Sequence, residues 1–252
     1  MKEKDDRQVV KIFTARACAK PLEDAARLFE RETGVGVEIS MCSRHCAAGD
    51  AEEATRQGGS DDFLTEIAEL GIHDLAIGGA EYLLDDGEVR GIIRKGERRV
   101  IACRVSALIV RAGNPCALRT LADVARPGVR VAVSVLDCLK GLWEDICGRQ
   151  GLLEAVQRNI SFRANGCMAI VEAVAQKKAD VGFGWSAFQQ LDPDRIEIIP
   201  LPKDQAVQRG TGIGMLTFCK EPDRARRFMD FLTTQPARSC YYRYGWVECR
   251  GH

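Results

Sequence analysis

No stretch of this 252-residue chain approaches the roughly 18 consecutive apolar residues that a membrane-spanning helix requires. Net charge is absent too. Thirty-six basic residues face thirty-six acidic ones, so no long-range field favours nucleic acid or an anionic membrane surface as a partner, and binding has to come from local geometry. A signal peptide is missing as written, since Met1 to Gln8 is dominated by charge. Two expectations remain open: a cytoplasmic protein, or a periplasmic or extracellular one whose leader was removed. Nor does the sequence assemble a Cys-His-acid set. Of three histidines, His45 lies in a loop, His73 stands beside Asp74 at the end of a buried strand, and His252 is terminal. A cysteine-dependent redox enzyme is therefore the weakest of the readings, and the chain is read as a non-enzyme.

With 46% hydrophobic and 29% charged residues, the chain is long enough for a full core, in one large α/β domain or two lobes of about 100 residues each. Val9 to Phe13 is an apolar, β-branched run that predicts a strand. Pro21 to Arg31 then repeats Leu22, Ala25, Ala26 and Phe29 at helical spacing, Gly34 supplies a helix stop, and Val35 to Ser40 alternates as a strand. A βαβ unit opens the protein. A helix is expected over Phe63 to Leu70, with a buried strand over His73 to Gly79 that runs into a glycine turn. Val100 to Arg111 reads as a long strand, and Val129 to Val133 as a new start followed by a helix from Gly141 to Gly148. Gly166 to Lys177 is helical in spacing, Ala179 to Gly184 is a buried strand, Gly212 to Cys219 is a long strand and Pro222 to Thr233 a helix. Two long strands flanking a middle segment predict lobe one from residues 1–104 plus 212–252 and lobe two from 105–211. Hinge strands would run near 99–112 and 205–218, with a ligand between the lobes.

The segments KIFTARACAKPLEDAARLFERETGVGVEIS, HDLAIGG, NPCALRTLADVARPGVRVAV and KKADVGFGWSAF carry a resemblance to type II periplasmic-binding proteins, closest to the molybdate- and tungstate-binding proteins of ABC importers. The resemblance covers nearly the whole chain. It implies an α/β, two-lobed fold in which each lobe is a mostly parallel sheet flanked by helices, a small inorganic ligand, and an ABC permease as partner. In that family neutral hydroxyls, backbone amides at helix starts and a tyrosine hold an oxyanion. Matched by position, the first serine falls on Ala17 beside Cys18, and the serine loop becomes Met41-Cys42-Ser43-Arg44-His45-Cys46. The loop after the first lobe-two strand becomes Ser134 to Lys140, the later helix start becomes Asn165-Gly166-Cys167, and the tyrosine becomes Trp185.

Each of the four ligand loops has thus acquired a cysteine: Cys18, Cys42, Cys46, Cys138 and Cys167. Thiolates at helix N-termini would suit a soft metal ion, an iron-sulfur cluster or another metal-sulfur cluster. These five are the candidate metal ligands, with Arg16, Ser43, His45, Lys140 and Trp185 as further ligand-binding residues. Their spacing, C-x3-C plus distant singles, matches no standard cluster motif. The competing reading is an importer receptor for a tetrahedral oxyanion such as molybdate or tungstate, held by backbone amides and Ser43. Cys103 and Cys219 sit in the expected hinge strands as small apolar residues, Cys147 lies within a helix, and Cys116 follows a turn proline. Cys240 and Cys249 flank a tyrosine-rich tail, where aromatic packing suffices and a disulfide is an option in an oxidising compartment.

Overall fold

The opening run folds as expected: strand β1 (Val9–Thr14) leads through a short 3-10 turn, Arg16–Cys18, into helix α1 (Ala19–Thr33). Leu22, Ala25, Ala26 and Phe29 form its buried face, and Gly34 ends it at φ 72°, its amide donating to the Glu30 carbonyl oxygen. That left-handed conformation is cheap only for glycine. Strand β2 (Gly36–Met41) returns parallel to β1. The computed structural model describes residues 8–42, 63–134 and 137–249. Helix α2 (Phe63–Leu70) follows, then β3 (Leu75–Gly78), also parallel to β1, and α3 (Glu81–Val89).

Strand β4 (Ile93–Arg111) is nineteen residues long and begins seven residues before the expected start. The apolar pattern covers only its second half, because the first half, rich in basic residues, is partly exposed. After it come α4 (Leu121–Val124), β5 (Val131–Ser134), a 3-10 turn at Asp137–Leu139, α5 (Leu142–Gly148) and α6 (Leu153–Arg158). Strand β6 (Ile160–Ala164), α7 (Cys167–Ala175), β7 (Val181–Trp185), β8 (Ile196–Pro200) and β9 (Gln208–Leu216) complete the middle, and α8 (Pro222–Leu232) and α9 (Gln235–Tyr242) the end. No described helix is long and apolar enough to cross a membrane.

The strands lie in the order β2-β1-β3-β9-β4-β7-β5-β6, with β8 also paired to β4. Parallel triplets, β1/β2/β3 and β5/β6/β7, occupy the two flanks, and β9 and β4 join them with antiparallel contacts. Up to Val105, β4 pairs with β9; from Ser106 onward it pairs with β7. The interior divides in the same way. One core, around Leu108, Val131, Ile146, Ile170 and Phe183, covers the β5/β6/β7 flank, while two further clusters, around Ile12, Leu22, Phe228 and Tyr241 and around Phe13, Phe63 and Leu64, cover the other. This is a mixed α/β architecture with helices on a large sheet and apolar core on both flanks.

The disulfide expectation needs correcting. Cys249 is joined to Cys103, not to Cys240. Val247 forms an antiparallel bridge to Cys103, their backbones exchanging two 2.8 Å hydrogen bonds, and so delivers Cys249 to the Cys103 side chain. Cys240 is buried instead, its thiol donating to the Pro236 carbonyl within its own helix. The tyrosine-rich tail packs as aromatic core, Tyr241 lying edge-on to Trp246 at 5.7 Å between ring centres.

Candidate functional site

Arg104 occupies the last stretch of β4 before its partner strand changes, and its side chain is completely buried. Alternation along a strand places residues 104 and 106 on one face, and Ser106 pairs with Trp185 of β7, so the guanidinium comes to rest over the indole ring, 4.7 Å from its centre. Among the described residues its three nitrogens meet no oxygen or nitrogen partner, and the nearest counter-group is the Cys138 sulfur. The residue opposite it in β9, Arg209, contrasts sharply. Arg209 donates to the carbonyl oxygens of Cys138 (3.3 Å) and Lys140 (2.7 Å) and to Asp145 (2.8 Å). Taking an ion out of water costs several kcal/mol even after relaxation, so a buried cation with only sulfurs for counter-groups favours an added anion.

The walls around Arg104 come from both flanks. Gly79, in the turn between β3 and α3, approaches so closely that a β-carbon there would lie 2.7 Å from Arg104 Nη2 and 2.9 Å from Cys138 Cβ. Any side chain there has to displace the Arg104 guanidinium and the Cys138 side chain. Three helices start at the site: α1 with Cys18 as its N-cap, α3 with Ala80, and α7 with Gly166, and none of these caps supplies a side-chain hydrogen bond to its helix. Their first amides and positive dipole ends add to the preference for negative charge.

Thiols complete the surroundings. Cys138 and Cys167 are buried with their sulfurs 3.4 Å apart, a thiol contact and not a bond. The hydrogen bond from Cys167 is the main influence on Cys138 and holds its thiol well below the ordinary range; burial opposes this, and the Arg104 charge reinforces it. Burial pushes the Cys18 thiol up to about 11 despite the same arginine, so Cys18 stays neutral. Burial would weaken the protonated form of Arg104, but Cys138, Cys18 and Cys167 together outweigh it and raise its pKa.

Of the residues expected from sequence, Cys18, Cys138, Cys167 and Trp185 gather round this arginine. Cys42 is disulfide-bonded, which removes it as a thiolate ligand. Ser43, His45 and Cys46 lie outside the described residues. Arg16 and Lys140 are exposed, and Lys140 contributes its carbonyl oxygen to Arg209. Among the described residues no three His, Cys, Asp or Glu side chains converge as a metal site. Sequence reasoning missed Arg104, Arg209 and Gly79. Its available signal was a lone arginine interrupting an apolar strand in IACRVSALIV.

Fold and site together define a periplasmic-binding-protein architecture of the second type. The chain belongs to the bacterial extracellular solute-binding protein family, whose model matches residues 10–247. No curated protein matches the chain in sequence. Solved structures share the fold. Peb3 from Campylobacter jejuni, solved with L-phospholactate bound, superposes with a TM-score of 0.74 at 19% identity, over 95% of this chain and 100% of that one. A periplasmic molybdate-binding protein from Azotobacter vinelandii gives 0.70 at 19% identity, over 96% and 100%. The sulfate-binding protein SubI from Mycobacterium tuberculosis gives 0.74 at 14% identity, over 97% and 88%.

Proposed function

We propose that this solute-binding protein is a non-enzymatic receptor for a small oxyanion, of the molybdate, tungstate or sulfate kind, which it presents to an ABC permease. The observation that carries this reading is the buried guanidinium of Arg104, whose nitrogens meet no oxygen or nitrogen partner among the described residues. Two of the three uncapped helix starts carry no acidic residue in their first turn, and the third carries Glu81. Molybdate, sulfate and a phosphorylated carboxylic acid are named for similarly folded proteins, which agrees in charge class. The lobe division is proposed as residues 1–104 plus 212–252 against 105–211, supported by the change of partner along β4.

Calorimetry with molybdate, tungstate, sulfate and phosphate tests the reading. Micromolar or tighter binding of one of them, lost on Arg104→Gln, is expected; no binding of any oxyanion would overturn it. The metal-sulfur reading has less support, because Cys42 is tied up in a disulfide and no three ligands converge among the described residues. Iron and acid-labile sulfide in freshly purified, coloured protein would reinstate it.

A further inference from the structure

An anion receptor has no need of thiols, yet two of them sit against the cation of this one. Cys138 and Cys167 come from different elements, 29 residues apart, and their sulfurs are in van der Waals contact at 3.4 Å. Disulfide formation needs a sulfur separation of about 2.0 Å, so a small movement of two side chains would close the bond. The backbone around Cys138 is held by Arg209 through its carbonyl oxygen, and Gly79 of the opposite flank closes over its Cβ. Separating the two flanks would uncover the sulfur. A β-carbon on Gly79 would lie 2.7 Å from Arg104 Nη2 and 3.2 Å from Cys138 Sγ, so sulfur and guanidinium border the same space, and Cys138 and a bound anion are rivals for one guanidinium.

We propose that Cys138 and Cys167 are a redox-active dithiol, and that its oxidation to a disulfide frees Arg104 to take the oxyanion. The proposal rests on the anion-receptor reading above. With a small-molecule disulfide as oxidant, the Cys138 thiolate attacks one sulfur and expels the other half as a thiolate, leaving a mixed disulfide. Cys167 then gives up its proton and attacks the Cys138 sulfur, expelling the second half. Two cysteine thiols are oxidised and one small disulfide is reduced to two thiols. Before the step, Arg104 faces a thiolate; afterwards it faces a neutral bond, and the site's charge has risen by one. The depressed thiol of Cys138 fits the attacking role. Linkage makes the effect reciprocal, so a bound anion stabilises the disulfide as much as the disulfide strengthens binding of the anion.

The test uses the full chain equilibrated in a ladder of glutathione redox buffers, with the Cys138–Cys167 bond followed by peptide mass after alkylation and molybdate or sulfate affinity by calorimetry at each end. A single two-electron transition at this pair is expected, with at least tenfold tighter anion binding in the oxidised protein. Saturating anion should then lower the pair's potential by about 30 mV for each tenfold of that difference. Cys138→Ser, which has no thiolate, should bind the anion under reducing conditions at close to the oxidised protein's affinity. Cys167→Ser should form no internal bond and stop at a glutathione mixed disulfide on Cys138. Both cysteines staying reduced across the ladder would overturn the proposal, as would equal or weaker anion binding in the oxidised state while the receptor reading stands. A disulfide that forms with no anion bound in either state would overturn both readings.

Discussion

Replacing Arg104 by methionine in a Cys138→Ser background separates a cation waiting for a ligand from one that merely supports the fold. The background removes the thiolate, so the guanidinium has no internal counter-charge, and methionine keeps much of the stem volume. Without ligand, the arginine of this background is a desolvated ion whose three nitrogens meet no oxygen or nitrogen partner among the described residues. Exchanging buried ions for apolar groups of similar volume is neutral or stabilising by about 1–4 kcal/mol. Against this stands the lost contact with the Trp185 ring, worth about 0.5–2 kcal/mol. The melting temperature of the ligand-free variant should therefore hold or rise. Affinity should move the other way, because truncating one partner of a buried charged pair costs about 2–5 kcal/mol, roughly 30-fold to several thousandfold in Kd. Thermal unfolding and calorimetry on the same preparations read both signs. A variant that melts well below its parent, or that binds the oxyanion within threefold of it, would refute the argument.

Gly79→Ala should weaken anion binding at least tenfold while leaving the unliganded melting temperature within a few degrees, since its β-carbon would crowd Arg104 and Cys138 and parting the flanks would relieve that contact; calorimetry and a melt check this. The Cys138 thiol, depressed from an ordinary value of 9.0, adds stability that is complete above that value and is lost as the pH falls toward the folded one. Urea unfolding at a series of pH values in reductant should show this acid-side loss in wild type and not in Cys138→Ser. Cys18, raised to about 11, works in the opposite direction, its contribution present below pH 9.0 and lost as the pH climbs through 11. Cys249→Ser should lower the stability of the oxidised protein by about 2–5 kcal/mol in chemical unfolding, because the lost bond closes a loop spanning 146 residues, and it should change nothing in strong reductant.

The fold was legible because its elements advertise themselves by period. Leu22, Ala25, Ala26 and Phe29 mark α1 and Gly34 its end; Ala179 to Gly184 marks the buried strand that became β7. Weakly patterned segments were not legible: α3, with Tyr82 and Leu83 only half-buried, and the exposed basic first half of β4. The site was half legible. Positional likeness brought Cys18, Cys138, Cys167 and Trp185 to one place, because each lies where a strand or turn meets a helix start or a 3-10 turn. Arg104 was missed because a charge inside an apolar strand gives no hint of whether its side chain reaches solvent. Only the pairing of β4 with β7, which lays Trp185 across it, settles that. The Cys103–Cys249 bond was equally hidden, since it depends on a one-residue bridge at Val247.

Strands β4 and β9 run without a break from one core to the other, and Arg104 and Arg209 face each other where they do so. A motion that parts the cores has to pivot about those strands, and points on a pivot barely travel. The site's cation would thus be stationary while the walls swing: Gly79 and Cys18 with one half, Cys138, Cys167 and Trp185 with the other. An incoming anion would meet its counter-charge already in position and then be enclosed, so attraction governs arrival and closure governs departure. Salt should accordingly slow the capture of ligand far more than it hastens its release.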